Sequence, residues 1–128
     1  MIVNEGKIQL LTAQYAFLAA CTWRLFINNE TITAATVLED LTEASFTGYE
    51  PKTVGTMGTA TIVSGRASSS PVSPPVWTNG ESGDVEVYGW MLVDPTETYV
   101  VAAVNRGLTT IPAGSALAWI GAITNTQE

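Results

Sequence analysis

Glu39, Asp40 and Glu43 form the densest run of acids in the chain, and Glu81, Asp84 and Glu86 form a second beside Gly80 and Gly83. Clustered carboxylates are the oxygen ligands that calcium takes, and two carboxyl groups facing across a cleft hydrolyse glycosides. Neither run has the required pattern. A calcium-binding EF-hand loop needs alternating Asp or Asn ligands, a central Gly and a terminal Glu, and sequence neighbours do not face one another across a cleft. The first run reads as a solvated acidic face. With no histidine in the chain, the Ser-His-Asp triad, the commonest general base and the commonest metal ligand are all excluded. Cys21 is the single cysteine, which excludes an internal disulfide and a Cys-based zinc cluster. It also has no imidazole to lower its pKa. Gly55-Thr56-Met57-Gly58 lacks the Gly-Lys-Ser/Thr ending that holds a phosphate. The residues therefore predict no enzyme, no cofactor and no bound metal.

What remains is surface for contact. The chain has 128 residues, 46% hydrophobic and only 13% charged, with 5 basic against 12 acidic residues and a net charge of −7. About a quarter of residues are charged in an average globular protein, so neutral Thr, Ser, Asn and Gly must cover much of this surface. The negative charge and the scattered Lys7, Arg24, Lys52, Arg66 and Arg106 argue against nucleic acid as a partner. Of the four tryptophans, Trp23, Trp90 and Trp119 fall inside predicted strands and read as core or interface. Trp77 borders a Ser/Pro-rich loop and is the candidate for an exposed anchor.

The elements that would position these residues begin with a helix predicted over residues 6–20, with Asn4 as its N-cap. Ile8, Leu11, Tyr15 and Leu18 share one helical face. Leu18-Ala19-Ala20-Cys21 has the small-small-Cys form of a lipoprotein processing box. Glu5 beside Lys7, and the interruptions at Gln9 and Gln14, argue against that reading and against a membrane span. Cys21 is instead expected as a small buried hydrophobe.

From Trp23 onward the pattern is strand and turn. Trp23–Ile27 reads as a strand, Thr36–Ala44 as a helical turn or irregular loop, and 46–54 as an edge piece broken by Pro51. Thr59–Val63 and Val76–Thr78 are short strands, and Ser64–Pro75 between them is read as a solvated loop or arm. Residues 85–104 read as a β-hairpin turning at Asp94-Pro95-Thr96-Glu97. Alternation would put Val85, Val87, Gly89, Met91 and Val93 on one face and Glu86, Tyr88, Trp90 and Leu92 on the other. Both faces are apolar, which places the hairpin centrally or at an interface with another chain. Asn105-Arg106-Gly107 reads as the next turn, Leu108–Ile111 as a short strand, Pro112–Ser115 as a turn, and Ala116–Thr124 as one last strand. The expectation is a single mainly β domain, an antiparallel β-sandwich or jelly-roll-like fold with a short N-terminal helix.

Thr31–Tyr49, the strand pair around VYGWMLVDPTETYVVAAV and the closing TIPAGSALAWIGAIT carry a resemblance. They match the "xxTxxTxLxDxTEAxFxGY" stretch, the "YGxxxxD" strand (Tyr88–Asp94) and the Pro-Ala-Gly turn (Pro112–Gly114) expected of small virion proteins of tailed bacteriophages. Ser64–Pro75 has no counterpart in that pattern. The resemblance implies a non-enzymatic structural role in the virion, foremost a capsid decoration (cement) protein on the outer capsid surface. Its partner would be the major capsid protein, and it would form a homo-oligomer, a trimer favoured. A tail or baseplate component, or a small host-recognition module using Trp77, is the alternative. The interface candidates are Met1, Ile2, Val3 and Asn4 in the N-terminal segment and Pro71, Pro74, Pro75 and Trp77 at the loop, with no nucleic acid and no membrane as partner.

Overall fold

A computed structural model describes residues 1–118 and 123–125. The architecture is mainly β, antiparallel and sandwich-like, with the helical segment at the N-terminus. That segment is two helices, α1 (Asn4–Ala13) and α2 (Tyr15–Ala20). Val3, not Asn4, is the N-cap, in extended conformation and with no side-chain hydrogen bond. At Gln14 the helix tightens, its N–H donating to Leu11 O, and α2 restarts with Leu18 N–H on Gln14 O. The predicted face is the buried one. Leu11 and Leu18 are buried, while Ile8 and Tyr15 are half-buried against the same core. Two long side chains fasten the helices: Lys7 Nζ donates to Gly65 O (2.7 Å) and Tyr15 Oη to Gly58 O (2.9 Å).

Among the described residues nine strands follow: β1 (Thr22–Phe26), β2 (Lys52–Thr53), β3 (Thr61–Val63), β4 (Arg66–Ser69), β5 (Val76–Thr78), β6 (Val85–Val93), β7 (Val100–Ile111), β8 (Ala116–Ala118) and β9 (Ile123–Asn125). The main sheet runs β2-β1-β6-β7, the second β3-β4-β9, and β5 pairs with β8. Phe26, Met91 and Val93 pack with Leu41 on one face of the main sheet. Trp23, Leu25, Trp90 and Leu92 face the other way, into the larger core with Leu11, Leu18 and Trp77. β6 is thus covered on both faces, which accounts for its doubly apolar sequence. Trp23 and Trp90 meet edge to face, with centroids 4.9 Å apart, a geometry worth about 1 kcal/mol beyond burial.

Four expectations are corrected. Simple alternation fails in β6: Val85 and Val87 join Trp90 and Leu92 in the large core, while Tyr88 packs with Met91 and Val93. The register with β7 shifts between Val87 and Gly89, and a shift there exchanges the faces. Asn105-Arg106-Gly107 is not a turn ending a strand but an irregularity inside β7. Gly107 takes the required positive φ (+78°) and donates its N–H to Asn105 Oδ1. The Ser64–Pro75 stretch is not all loop, because Ser64 and Gly65 both have positive φ and form a tight hairpin turn into β4. Ser and Thr side chains do not prevent ladder formation when the turn fixes the register. The last predicted strand is two strands in different sheets, β8 on β5 and β9 on β4. Trp119 between them lies outside the described residues.

Candidate interaction surface

Asp40 and Glu43 of the first acidic run and Glu81 of the second hold loops in place, while Glu39 lies exposed. Asp40 accepts Val37 N–H at 2.9 Å and closes its own turn. Glu43 accepts from Arg24 Nη1 (2.9 Å) and from Tyr49 Oη (2.6 Å), and Tyr49 Oη accepts Leu25 N–H. Burial and the Glu43 carboxylate push the Tyr49 phenol well above its usual pKa, so it stays a neutral donor. Arg24 also reaches Glu97 at 2.6 Å, tying the turn after β6 to β1. In the second run, Glu81 accepts Thr47 N–H at 2.8 Å, a hydrogen bond that holds its carboxyl below the usual range. Among the described residues, no group of three or more His, Cys, Asp or Glu could hold a metal, and no helix is long and apolar enough to cross a membrane. Cys21 is buried, and burial pushes its thiol up, with Asp94 adding to the effect.

Two polar residues organise the loops. Asp94 accepts backbone N–H bonds from Thr96 (3.1 Å), Thr98 (2.8 Å) and Tyr99 (2.7 Å), besides the Thr96 hydroxyl. The Thr96 hydroxyl and the Tyr99 N–H, foremost among these donors, lower its pKa to about 2. Asn79 is fully buried. Its Nδ2 donates to Gly83 O (2.9 Å) and Ile111 O (2.8 Å), and its Oδ1 accepts Glu81 N–H (2.8 Å).

The structure separates the predicted interface residues. Met1 and Val3 are exposed, Asn4 is exposed at the start of α1, and Ile2 is half-buried. Pro74 is exposed, but Pro71 and Pro75 are buried. Pro71 is held in a bridge to Met57. Trp77 is not a surface anchor. It is fully buried, its Nε1–H donates to Glu50 O (2.8 Å), and it stacks on Tyr49. A tryptophan beside a Ser/Pro loop is read as exposed only if the loop stands free, and here β5 draws it into the core.

Two apolar surfaces extend beyond the interface candidates read from the sequence, which included Val3 but not Leu10, Phe17 or the exposed residues of β7. On the outer side of α1 and α2, Leu10 and Phe17 stay 41% and 47% exposed, in line with Val3 at heptad spacing. That spacing was visible in the sequence, but the face through Ile8, Leu11, Tyr15 and Leu18 carried the stronger pattern. The second surface is the edge of the main sheet. β7 ends the strand order and, among the described residues, pairs with β6 alone. Tyr99, Val101, Val104 and Leu108 are exposed along it. Beside Val100–Ala103 runs an open groove of about 170 Å³ whose other wall is Ile32, Thr33, Ala34 and Thr36. Comparison with protein-family models, with curated proteins and with solved structures finds no match for this chain.

Proposed function

We propose that this chain is a non-enzymatic structural protein that works by contact, as a decoration protein on the outer capsid surface of a tailed bacteriophage, with the major capsid protein as partner. The observation that carries the reading is the exposed apolar surface on a chain of low charge: Val3, Leu10 and Phe17 along the helices and Tyr99, Val101, Val104 and Leu108 along β7. Interface cores are depleted of charge in the same way. The virion assignment itself comes from the sequence resemblance at Thr31–Tyr49, Tyr88–Asp94 and Pro112–Gly114. Mechanically, a protein that binds the assembled lattice and not free subunits stabilises the lattice by linkage. One feature that would have favoured the host-recognition alternative, an exposed Trp77, is absent, since that residue is buried in the chain.

The test is binding of the purified chain to mature capsids lacking it, followed by cryo-EM. Saturable occupancy at symmetry-related outer positions supports the proposal, whereas absent or random binding overturns it. Replacing Leu10 and Phe17 together by Glu should lower occupancy without unfolding the chain, because both side chains already meet solvent.

A further inference from the structure

Asn79-Gly80 is the one Asn-Gly pair in the chain. In a flexible peptide this pair is chemically labile, because glycine has no side chain to hinder its backbone nitrogen from reaching the asparagine side-chain carbonyl. The fold requires both residues. A Cβ on Gly80 would lie 2.9 Å from Thr47 O and 3.1 Å from Thr47 Cγ2. That oxygen is tied to residue 80, since Gly80 N–H donates to it at 2.7 Å. Asn79 is fully buried and uses its whole amide: Nδ2 donates to Gly83 O and Ile111 O, and Oδ1 accepts Glu81 N–H. No other side chain of that length offers two donors and an acceptor. The Asn79 backbone is held as well, its N–H donating to Ser115 O (2.9 Å) and its carbonyl accepting Gly114 N–H (2.8 Å).

Deamidation begins when the Gly80 nitrogen, having given its proton to a solvent base, bonds to Asn79 Cγ. The Cγ–Nδ2 bond breaks, the nitrogen leaves as ammonia with a proton from water, and a five-membered succinimide closes. Water then opens the ring at either carbonyl, returning a hydrogen to the Gly80 nitrogen and leaving aspartate or isoaspartate. The native contacts oppose the first step. The Gly80 proton is engaged by Thr47 O, the Asn79 amide is fixed at three points, and Asn79 has no surface exposed to water. We propose that Asn79-Gly80 is a latent modification site that deamidates only when the fold opens, and whose products cannot rebuild the loop. Aspartate would set a carboxylate oxygen against Gly83 O and Ile111 O, where a buried acceptor without a donor is costly. Isoaspartate also inserts a carbon into the backbone between the N–H held by Ser115 and the N–H held by Thr47. A chain that stays unfolded is thereby marked covalently and barred from the native state. The proposal is independent of the virion reading.

The test holds the full chain at mildly alkaline pH, native or unfolded in urea, and follows residue 79 by peptide mass spectrometry. In urea it should gain the mass of an NH2-to-OH exchange. In native buffer conversion should be more than about a hundredfold slower, since the unfolded fraction of a native domain is about 10⁻³ or less. Leu11→Ala removes none of the Asn79 hydrogen bonds, yet it should speed native conversion by about a hundredfold, because the cavity it leaves raises the unfolded fraction by that factor. Chains converted in urea should refold with a Tm below that of chains passed through urea at mildly acidic pH, where the Gly80 nitrogen keeps its proton. A smaller ratio between urea and native rates overturns the proposal, as does a chain that fails to convert in urea. A Leu11→Ala rate equal to wild type, or converted chains that regain the wild-type Tm, does the same.

Discussion

Gly89 sits in β6 where the register with β7 shifts, and its backbone φ is not in the positive region that only glycine favours. Replacing such a glycine by alanine normally stabilises a protein by about 0.4–1 kcal/mol, by restricting the unfolded chain. Packing reverses the sign here. A Cβ at residue 89 would press on the carbonyl oxygen of Val104 and lie 2.5 Å from Phe26 Cζ and 2.8 Å from its Cε1. Phe26 is fully buried, enclosed by Leu41, Met91 and Val93, so the ring has no space to swing into. The Val104 oxygen belongs to the neighbouring strand and retreats only if the ladder opens. Overpacking costs about 1–3 kcal/mol, and the backbone contact puts Gly89→Ala near the upper end, about 3 kcal/mol. For a chain of this length each kcal/mol lowers Tm by about 4 °C, so the expected fall is about 12 °C by scanning calorimetry. Gly83→Ala is the control. No atom lies within 4 Å of a Cβ there and its φ is not positive, so its Tm should hold or rise slightly. An unchanged or higher Tm for Gly89→Ala would refute the packing argument.

Leu11→Ala should cost about 3 kcal/mol in urea unfolding, since it empties the fully buried contact holding α1 to the sheets. Asn79→Ala leaves Gly83 O, Ile111 O and Glu81 N–H without their partner, and chemical denaturation should show a loss of about 2–4 kcal/mol. Asp94 is held at about 2 against an ordinary value of 3.8. Its contribution is therefore complete above about pH 4 and is lost as pH falls toward 2. An acid series of Tm values should show that loss in the wild type and a flatter profile in Asp94→Asn, which cannot titrate.

The sequence was most legible where one local pattern decided the outcome. The Ile8–Leu11–Tyr15–Leu18 face and the turn at Asp94–Glu97 follow from helical spacing and turn chemistry. The two-faced apolarity of the hairpin pointed to a central or interface position for both strands; β6 is central between β1 and β7, whereas β7 ends the sheet. Legibility failed where partners distant in sequence decide. Ser-rich β4 is a strand because the Ser64-Gly65 turn and β9 hold it, and β7 continues through Gly107 because β6 pairs on both sides of the irregularity. Of the interface residues, Met1, Val3, Asn4 and Pro74 are on the surface. Trp77, Pro71 and Pro75 are not, because side-chain type does not say whether core or solvent will claim an aromatic or a proline. The exposed edge at β7 was invisible because strand order is a tertiary property.

The pairing of β1 with β6 also bears on synthesis. β1 leaves the ribosome early, yet its main ladder partner is the strand at 85–93, and β2 offers it only a short pairing. At about 5–20 residues per second, Trp23, Leu25 and Phe26 must wait several seconds for the strand that buries them. The main sheet therefore closes late, after most of the chain has emerged, and the interval is the period in which a nascent chain is most open to chaperone binding or to pairing with a neighbour.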